Sequence, residues 1–358
     1  MNELKGEMLN LNQVFLVSPR RFGKTCLLLN LIETLRRNAM ACAYIDLNAF
    51  PDIRNFAGAL ANLTTKALET NKDKVLKLFA GFQKLRPKIS VDPDGNISAG
   101  LELAVAEKDA VSALLEGMRH AEKLAVKKKK KLVIIIDEFS DLEKYNGRTI
   151  EKAIRSEIQQ QTRIGYIFSG SEQSVMLAMI RDTGRAFYKM GRIMELGPIE
   201  RKIYKRFVRG WLKKGGYSVV DDSLERIFDT GNDVPYNIQR LCHVMWDYAM
   251  DTKVIKPDLI DKLPVIIARQ DSPHYEMLWR AASQPQQLLL IALSKDQTAK
   301  PFSKEFQLLH GIGPSSSIKA SLDSLVKRGI LFKSLHGGYH FVDGFMPYWI
   351  DSIRKKIA

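Results

Sequence analysis

The sequence predicts an α/β fold with a parallel sheet, followed by a helical region and a small C-terminal domain. Two strands carry this prediction. The segment Val14–Cys26 is an apolar strand that runs through a turn into a leucine-rich helix, and Leu132–Ile136 is a purely apolar strand that ends in two carboxylates. Strands that are apolar on both faces are typical of parallel sheets covered by helices. From residue 197 onward the pattern changes to helices.

The turn after the first strand has the residue types of a phosphate-binding loop. A triphosphate is held by backbone N–H groups, the positive end of a helix, an ammonium group and a hydroxyl on Mg²⁺. Gly23 lets the backbone approach, Lys24 supplies the charge and Thr25 the metal ligand. Ser18 replaces the first glycine of the common pattern and is small enough to bend the loop. The predicted nucleotide contacts are Ser18, Pro19, Arg20, Arg21, Phe22, Gly23, Lys24, Thr25 and Cys26.

The two carboxylates after the apolar strand are the second half of the predicted site. Parallel strands present their carboxyl ends at one edge of the sheet, where ligands bind. We therefore expect Asp137 beside the Mg²⁺ held by Thr25, and Glu138 where it polarises an attacking water. A strand ending in two acids is weak evidence alone. Together with the Gly-Lys-Thr turn it predicts a domain that hydrolyses a nucleoside triphosphate.

Three further residues are candidates for the chemistry. Ser169 ends the next strand, level with Asp137, where its hydroxyl would sense the γ-phosphate or hold the water; it could equally cap the following helix. Arg185 and Arg192 precede a fifth strand. They could reach a γ-phosphate across a subunit boundary and neutralise the charge of the transition state, or they could pair with surface acids.

Composition limits the class of protein. The chain has 358 residues, 45% of them hydrophobic, which is enough for two or three domains with buried cores. No stretch approaches the roughly 18 consecutive apolar residues of a membrane-spanning helix, and Met1–Glu7 lacks the apolar core of a signal peptide. We expect a soluble, cytoplasmic protein without a membrane partner. The net charge of +15 favours a polyanionic partner only modestly, because ATP is itself an anion.

The remaining elements of the first region follow in order. The first strand begins near Val14, which leaves little room for a preceding helix. Ala41–Leu47 is a second strand, and Phe56–Phe82 has helical periodicity. Alternation around Asp94-Gly95-Asn96 predicts an inserted β-hairpin, at about residues 86–104. The hairpin either contacts a partner or covers an edge of the sheet, and the cover is slightly favoured.

The second half of the chain predicts two more domains. Residues 199–275 read as a helical lid after a core of residues 1–198, with His243 a core residue beside Trp246. Residues 276–358 contain short helices, the helix Ser315–Arg328 and a hairpin around His336-Gly337-Gly338. This order is typical of a winged helix, whose third helix can enter the DNA major groove. Winged helices also bind proteins, so double-stranded DNA is favoured only a little over a protein as the partner of this domain.

Taken together, these segments resemble the archaeal-type ATPase family of the AAA+ and STAND-like P-loop proteins. The matching segments span nearly the whole chain: Ser18–Thr25, Asp137-Glu138, Phe168–Ser171, Phe187-Tyr188, Gly191-Arg192, Glu195–Pro198, Val234–Tyr236 and Tyr339–Asp343. The resemblance implies a five-stranded parallel sheet, a helical lid and a C-terminal winged helix. It also implies ATP and Mg²⁺ as ligands.

Two functions remain open at this stage. The first is a Mg²⁺-dependent ATPase that couples its nucleotide state to movement of the winged helix, acting on DNA or on a DNA-bound partner. The second is a nucleotide switch that forms homo-oligomers, hydrolyses ATP slowly and binds a partner protein. A transcription regulator with a vestigial loop ranks last, because both nucleotide motifs keep their charged residues.

Overall fold

The structure is a computed structural model. It describes residues 1–69, 85–91, 97–103, 110–145, 147–296, 300–333 and 338–357. The second half of the predicted helix Phe56–Phe82, the turn at Asp94-Gly95-Asn96 and the turn residues His336-Gly337 lie outside these ranges. The chain divides into two compact units, the first formed by Met1–Ser18 and Lys24–Leu196 and the second by Pro19–Gly23 and Gly197–Ala358.

The first unit is built on a parallel sheet of five strands, as predicted. The strands of this unit are β1 (Gln13–Val17), β2 (Ala41–Asp46), β3 (Leu85–Val91), β4 (Ile97–Leu103), β5 (Leu132–Asp137), β6 (Ile164–Gly170) and β7 (Arg192–Glu195). The sheet has the order β2-β5-β6-β1-β7, and all its pairs are parallel. Strands β3 and β4 pair antiparallel, with Val91 opposite Ile97, which confirms the inserted hairpin.

Helices cover both faces of this sheet. They are α1 (Asn2–Leu9), α2 (Lys24–Arg37), α3 (Ile53–Leu68), α4 (Ala110–Lys128), α5 (Gly147–Ile158) and α6 (Gln173–Arg181), with 3-10 helices at Leu47–Ala49 and Phe139–Tyr145. Alternate residues of each strand enter opposite cores. Val14 packs in the core under α1 and α2, and its neighbour Phe15 packs in the core under the other helices. Burial on both faces explains why the central strand β5 has no polar residue before Asp137.

Helix α1 corrects one expectation from the sequence. The prediction that little room exists for a helix before β1 is wrong, because Asn2–Leu9 forms two turns there. Leu4 and Met8, one turn apart, are fully buried against the sheet. A helix this short needs only two apolar anchors, which is too few to produce a readable periodicity.

The second unit contains the remaining elements. Its first part holds α7 (Arg201–Lys214), α8 (Asp221–Thr230), α9 (Pro235–Tyr248), α10 (Pro257–Gln270) and α11 (Ser272–Arg280). The two-residue strands β8 (Ser218–Val219) and β9 (Val254–Ile255) pair in parallel there, which the sequence did not predict. Its second part holds α12 (Gln284–Lys295), α13 (Lys304–His310), α14 (Ser315–Lys327), β10 (Leu331–Lys333), β11 (Tyr339–Phe341) and α15 (Met346–Ile357).

The second part has the winged-helix arrangement that the sequence predicted. Strands β10 and β11 form an antiparallel hairpin directly after α14. Ile318, Leu322 and Leu325 of α14 are buried, and Lys319 and Lys327 are exposed. The unit has two hydrophobic clusters, and each takes in residues from both parts: Ala268 and Tyr275 pack in the cluster of the second part, and Phe345 packs in the cluster of the first. The boundary near residue 275 stays a prediction. Among the described residues, no helix combines the length and apolar character needed to span a bilayer.

Candidate nucleotide site

The centre of the candidate site is a buried ion pair. Lys24 is the first residue of α2, and Asp137 is the last residue of β5. Lys24 Nζ lies 2.6 Å from Asp137 Oδ1 and 2.8 Å from Glu138 Oε1. The side chains of Lys24 and Asp137 are only 7% and 3% exposed. The turn after β1 and the carboxylates after β5 therefore meet at one edge of the sheet, as the sequence predicted.

Asp137 accepts several hydrogen bonds in addition to the ion pair. The Ser169 hydroxyl donates to Oδ1 at 2.6 Å, and the Tyr44 hydroxyl donates to Oδ2 at 2.8 Å. Thr25 Oγ1 lies 3.5 Å from the same Oδ2. Burial alone would raise the pKa of Asp137, but the Lys24 ammonium and the donors from Ser169 and Tyr44 outweigh it, so the pKa lies below its ordinary value. The carboxylate is therefore ionised.

Glu138 is held in an unusual backbone conformation. Its φ is 49°, in the left-handed region that non-glycine residues rarely adopt. Its Oε2 accepts hydrogen bonds from the Ser171 backbone N–H at 3.1 Å and from the Ser171 hydroxyl at 2.8 Å, and its Oε1 pairs with Lys24. The side chain is 27% exposed. A carboxylate placed in this way can reach solvent water once its contacts are released.

The oxygen atoms at this edge fit one Mg²⁺ ion. Magnesium is commonly bound by one or two protein oxygens, with phosphate and water completing an octahedron. Thr25 Oγ1 and Asp137 Oδ2 are close enough to share one cation, and the ionised carboxylate supplies the charge. Among the residues that the structure describes, no cluster of three or more His, Cys, Asp or Glu side chains could hold a metal without phosphate oxygens.

Sequence reasoning missed the contribution of β2. The sequence places Tyr44 on a strand without indicating a role for it, yet its hydroxyl contacts the predicted metal ligand. Burial and the charge of Asp137 both raise the pKa of Tyr44, so it remains a hydrogen-bond donor. Asp46 ends β2 opposite Asp137, and its pKa is raised by burial and by the neighbouring carboxylates. The available signal was the polar ending Tyr44-Ile45-Asp46 at the same edge of a parallel sheet.

The loop residues Pro19–Gly23 belong by their contacts to the second unit. Arg21 Nη1 lies 2.9 Å from Asp343 Oδ2, and its guanidinium lies 4.4 Å from the centre of the Tyr236 ring. The Tyr236 N–H also donates to the Arg21 carbonyl at 3.3 Å. Through Arg21, the Pro-Arg-Arg loop therefore contacts two other segments on which the resemblance was based, Val234–Tyr236 and Tyr339–Asp343.

The other predicted loop residues differ in accessibility. Ser18 is fully buried, and its N–H donates to the Gly170 carbonyl at 3.3 Å, so this serine anchors the loop to β6. Gly23 has φ +84° with open space where a Cβ would lie, so its requirement is conformational. Pro19 and Phe22 are half-buried, whereas Arg20 and Cys26 are exposed. Their predicted nucleotide contacts stay predictions.

The two candidate arginines are paired with acids. Arg185 contacts both Glu151, which is fully buried, and Glu143. Arg192 contacts two acids of α1: it pairs with Glu3, and its Nη1 lies 2.6 Å from Glu7 Oε1. Ion pairing was the alternative that the sequence left open for both residues. Within the described chain, neither arginine has an ion pair or hydrogen bond with Lys24, Asp137 or Glu138. A role in trans stays a prediction.

Comparisons with known proteins identify the fold. Residues 273–352 match the family model described as a probable winged helix domain. No curated protein matches the chain by sequence. Among solved structures, the chain is similar to the Walker-type ATPase PABY2304 of Pyrococcus abyssi, with a TM-score of 0.62 and 14% identity over 98% of this chain and 94% of that chain.

Two proteins of Aeropyrum pernix are also similar in structure. The ORC2 protein, solved as ADPNP-ADP complexes, has a TM-score of 0.55 and 12% identity over 99% of this chain and 93% of that chain. The ORC1 protein, solved in complex with DNA, has a TM-score of 0.51 and 12% identity over 100% of this chain and 93% of that chain. At these identities the similarity shows the fold, which is an AAA+-like P-loop core, a helical lid and a C-terminal winged helix.

Proposed function

We propose that the chain is a Mg²⁺-dependent ATPase that couples its nucleotide state to movement of its winged helix, acting on DNA or on a DNA-bound partner. The observation that carries this proposal is the position of Lys24 Nζ, 2.6 Å from Asp137 and 2.8 Å from Glu138. A phosphate-binding ammonium, a metal-binding carboxylate and a second carboxylate with access to solvent are the groups that phosphoryl transfer to water requires.

Each residue has one task in this mechanism. Lys24 binds phosphate oxygens, while Thr25 and Asp137 hold the cation. The bound Mg²⁺ supplies positive charge that neutralises the phosphate oxygens. Glu138 leaves its contact with Lys24 and polarises the attacking water. Ser169 releases its hydrogen bond to Asp137 Oδ1 and donates a hydrogen bond to the γ-phosphate instead.

The comparisons support two parts of the proposal. The ORC2 protein of Aeropyrum pernix was solved with ADPNP and ADP, and the ORC1 protein with DNA. Both cover nearly all of this chain in the structural alignment. We carry over from them a nucleotide as ligand and DNA as partner. Both assignments are open to direct measurement on this chain.

Two substitutions test the nucleotide site. Glu138→Gln removes the water-polarising charge but keeps the shape, so we expect phosphate release to fall by about 100-fold or more with nucleotide affinity nearly unchanged. Lys24→Ala removes the phosphate contact, so we expect binding of a fluorescent ATP analogue to be lost. Glu33→Gln, at an exposed position on α2, is the matched control and should resemble the unmodified protein.

The results separate the assignments from each other. If Glu138→Gln hydrolyses ATP at the unmodified rate, Glu138 is not the group that activates water. If Lys24→Ala binds nucleotide as before, the phosphate loop is not the site and the proposed function is lost. A Glu33→Gln variant with the same defect as Glu138→Gln would indicate a general loss of folding.

A second candidate function is a slow nucleotide switch that oligomerises and binds a partner protein. The contacts of Glu138 favour it, because both carboxylate oxygens are engaged, one by Lys24 and the other by Ser171. Breaking these contacts before each turnover would slow hydrolysis. Molecular mass in solution with ATP and with ADP, beside turnover with and without DNA, distinguishes the two. A stable ATP-dependent oligomer without a DNA effect supports the switch.

A further inference from the structure

Helix α7 exposes a stripe of large apolar side chains in addition to the stripe it buries. Tyr204, Val208 and Leu212 face the core of the second unit. Ile203, Phe207 and Trp211 lie one residue before them in each turn and are 57%, 56% and 57% exposed. One apolar stripe is enough to hold a surface helix on its domain. The second stripe is therefore not needed to hold this helix on its domain.

The exposed stripe borders a groove between α7 and α9. The groove has a volume of about 500 Å³, and its walls are mainly aromatic and aliphatic. Phe207 and Trp211 form one side, and Cys242 and Trp246 lie opposite. Trp246 packs closely against Gly215, where a Cβ would lie only 1.8 Å from its Cη2 atom. The groove is built entirely from residues of the second unit.

The charges around the groove are asymmetric. Helix α7 carries seven Lys or Arg residues and no Asp or Glu. Arg201, Lys205 and Arg209 are paired with acids on or near α8. In the described part of the chain, Lys202, Arg206 and Lys213 form no ion pair, and their spacing of four and seven residues places them along one flank of the stripe.

The side of the groove formed by α9 carries a histidine and a carboxylate. His243 and Asp247 of α9 lie at the far rim of the groove, with His243 Nε2 4.0 Å from Asp247 Oδ2. His243 was expected in the core beside Trp246, but its side chain is 76% exposed, so that expectation is wrong. In the described part of the chain, the unpaired cations near the groove are thus on α7, with Lys202, Arg206 and Lys213 on its flank and Lys214 Nζ 4.9 Å from the centre of the Trp211 ring, whereas the far rim carries the Asp247 carboxylate.

We propose that the α7–α9 groove binds an amphipathic helix of a partner protein, with apolar residues in the groove and acidic residues along the flank of Lys202, Arg206 and Lys213. The stripe from Ile203 to Trp211 is roughly 12 Å long at 1.5 Å per residue, about two turns of helix. A helix with apolar residues three or four positions apart presents a matching ridge. This inference goes beyond the proposed ATPase activity and does not depend on it.

The groove fits other macromolecules less well. A bilayer is bound by a broad convex apolar face with basic residues on both sides. Here the aromatic side chains line a concave surface, and Asp247 stands at its rim. Single-stranded nucleic acid stacks its bases on aromatic rings and tracks its phosphates along a basic groove. Among the described residues, three of the four unpaired cations of α7 lie outside the groove on one flank, only Lys214 lies over a ring of the groove, and the rim opposite carries the carboxylate of Asp247.

The test uses a synthetic peptide and the full-length chain. The probe is a fluorescein-labelled helical peptide of about 18 residues with Leu at every fourth position and Glu along one adjoining face. Its controls are a scrambled peptide of equal composition and a peptide with Lys in place of Glu. We expect the acidic peptide to bind, by fluorescence anisotropy, at least about tenfold more tightly than either control.

Two variants locate the binding. Phe207→Ala with Trp211→Ala should weaken binding by about tenfold or more, because central aromatic anchors dominate helix recognition. Met277→Ala removes an equally exposed apolar side chain, 60% exposed on α11, and should leave binding unchanged. Lys202→Glu with Arg206→Glu should reverse the preference toward the lysine peptide. All of these side chains are exposed, so the variants should keep their melting temperature and nucleotide binding.

Several results would overturn the proposal. One is equal affinity of the unmodified chain for the acidic, lysine and scrambled peptides, and another is unchanged binding by the double alanine variant. If that variant instead loses binding to oligo-dT or to anionic phosphatidylserine vesicles, the surface serves nucleic acid or membrane. If it abolishes a concentration-dependent dimer, the occupant is a second copy. Loss of ATP turnover in Glu138→Gln has no bearing on this binding, so the two proposals fail independently.

Discussion

Asp137 illustrates how a buried carboxylate stays charged at an enzyme-like site. Burial of an isolated carboxylate would favour its protonated form. Three side chains from other elements oppose this effect: Lys24 from α2, Ser169 from β6 and Tyr44 from β2. Their combined effect places the pKa of Asp137 below its ordinary 3.8. The folded chain therefore binds this proton more weakly than the unfolded chain does.

This difference predicts how stability depends on pH. Because the folded-state pKa is depressed, the ionised Asp137 stabilises the fold above its unfolded pKa, and that stability is lost as pH falls through the folded-state pKa. Asp137→Asn cannot ionise, so it removes one of the two carboxylates that pair with the Lys24 ammonium and leaves only Glu138. We expect the free energy of unfolding at pH 7 to be about 1 to 2 kcal/mol lower in the variant, so the variant should melt at a lower temperature. The difference should shrink as pH falls below about 3.8, the ordinary pKa of this carboxyl, and on through the depressed pKa of the folded state.

Melting followed by circular dichroism at a series of pH values measures this effect. Asp251→Asn, at an exposed aspartate, is the control and should melt like the unmodified protein throughout. The difference in melting temperature between Asp137→Asn and the unmodified protein should be smaller at pH 2.5 than at pH 7. An equal difference at both pH values would contradict the lowered pKa of Asp137.

Ser171 is the residue whose removal should distinguish a fast ATPase from a slow switch. Its hydroxyl donates to Glu138 Oε2 at 2.8 Å, which restrains the group that must reach water. Ser171→Ala removes one hydrogen bond, worth about 1 kcal/mol. We therefore expect basal phosphate release to rise severalfold, with ATP affinity unchanged. A fall in turnover would mean that Ser171 aligns Glu138 for catalysis, and Ser174→Ala on α6 is the control.

At the level of the element, α7 offers a matched pair of glycines. Gly210 lies within the helix on its exposed side, with nothing within 4 Å of the place that a Cβ would take, whereas a Cβ on Gly215 would overlap the Trp246 ring. Gly210→Ala should stabilise the protein by about 0.5 to 1 kcal/mol, because alanine is the better helix former. Gly215→Ala should destabilise it by about 1 to 3 kcal/mol through overpacking.

Thermal melts of the two variants test this pair, since each adds the same methyl group. Intrinsic tryptophan fluorescence reports on Trp246 directly and should change only in Gly215→Ala. Equal melting temperatures for the two variants would contradict the tight packing at Trp246. The comparison also bears on the α7–α9 groove, because Gly215→Ala moves one of its walls.

Elements whose residues produce a strong local pattern were predictable from the sequence. Val14–Val17 and Leu132–Ile136 are apolar throughout because helices cover both faces of the sheet, and the polar residues that follow them mark the edge that carries the candidate site. The helix α14 was predictable for the related reason that its buried positions recur at helical spacing.

Elements that depend on distant contacts were not predictable. Helix α1 is held by Leu4 and Met8 against the sheet and by its acids against Arg192, which is far away in sequence. Tyr44 gains its role only because β2 pairs with β5. His243 sits at a helical position consistent with burial, and only the packing of α9 shows that it faces outward. Local spacing does not encode any of these three arrangements.

At the scale of the whole molecule, the charge and the winged helix together predict salt-sensitive binding to DNA. The chain carries a net charge of +15, and α14 exposes Lys319 and Lys327 on the face opposite its buried residues. Each lysine that neutralises a phosphate releases condensed counterions, so the logarithm of affinity falls linearly with the logarithm of salt concentration. We expect double-stranded DNA to bind with this dependence in the presence of ATP.

The variant Lys319→Ala with Lys327→Ala makes the prediction specific to α14. The slope of log affinity against log salt is negative. If both lysines contact phosphates, its magnitude should be smaller by about two in this variant, uniformly across DNA sequences. Lys256→Ala with Lys262→Ala removes the same charge from exposed positions on or beside α10 and should preserve the slope. A slope that both double variants reduce equally would indicate attraction by net charge alone. Affinity that does not fall with salt would exclude phosphate contacts and favour a protein partner for the winged helix.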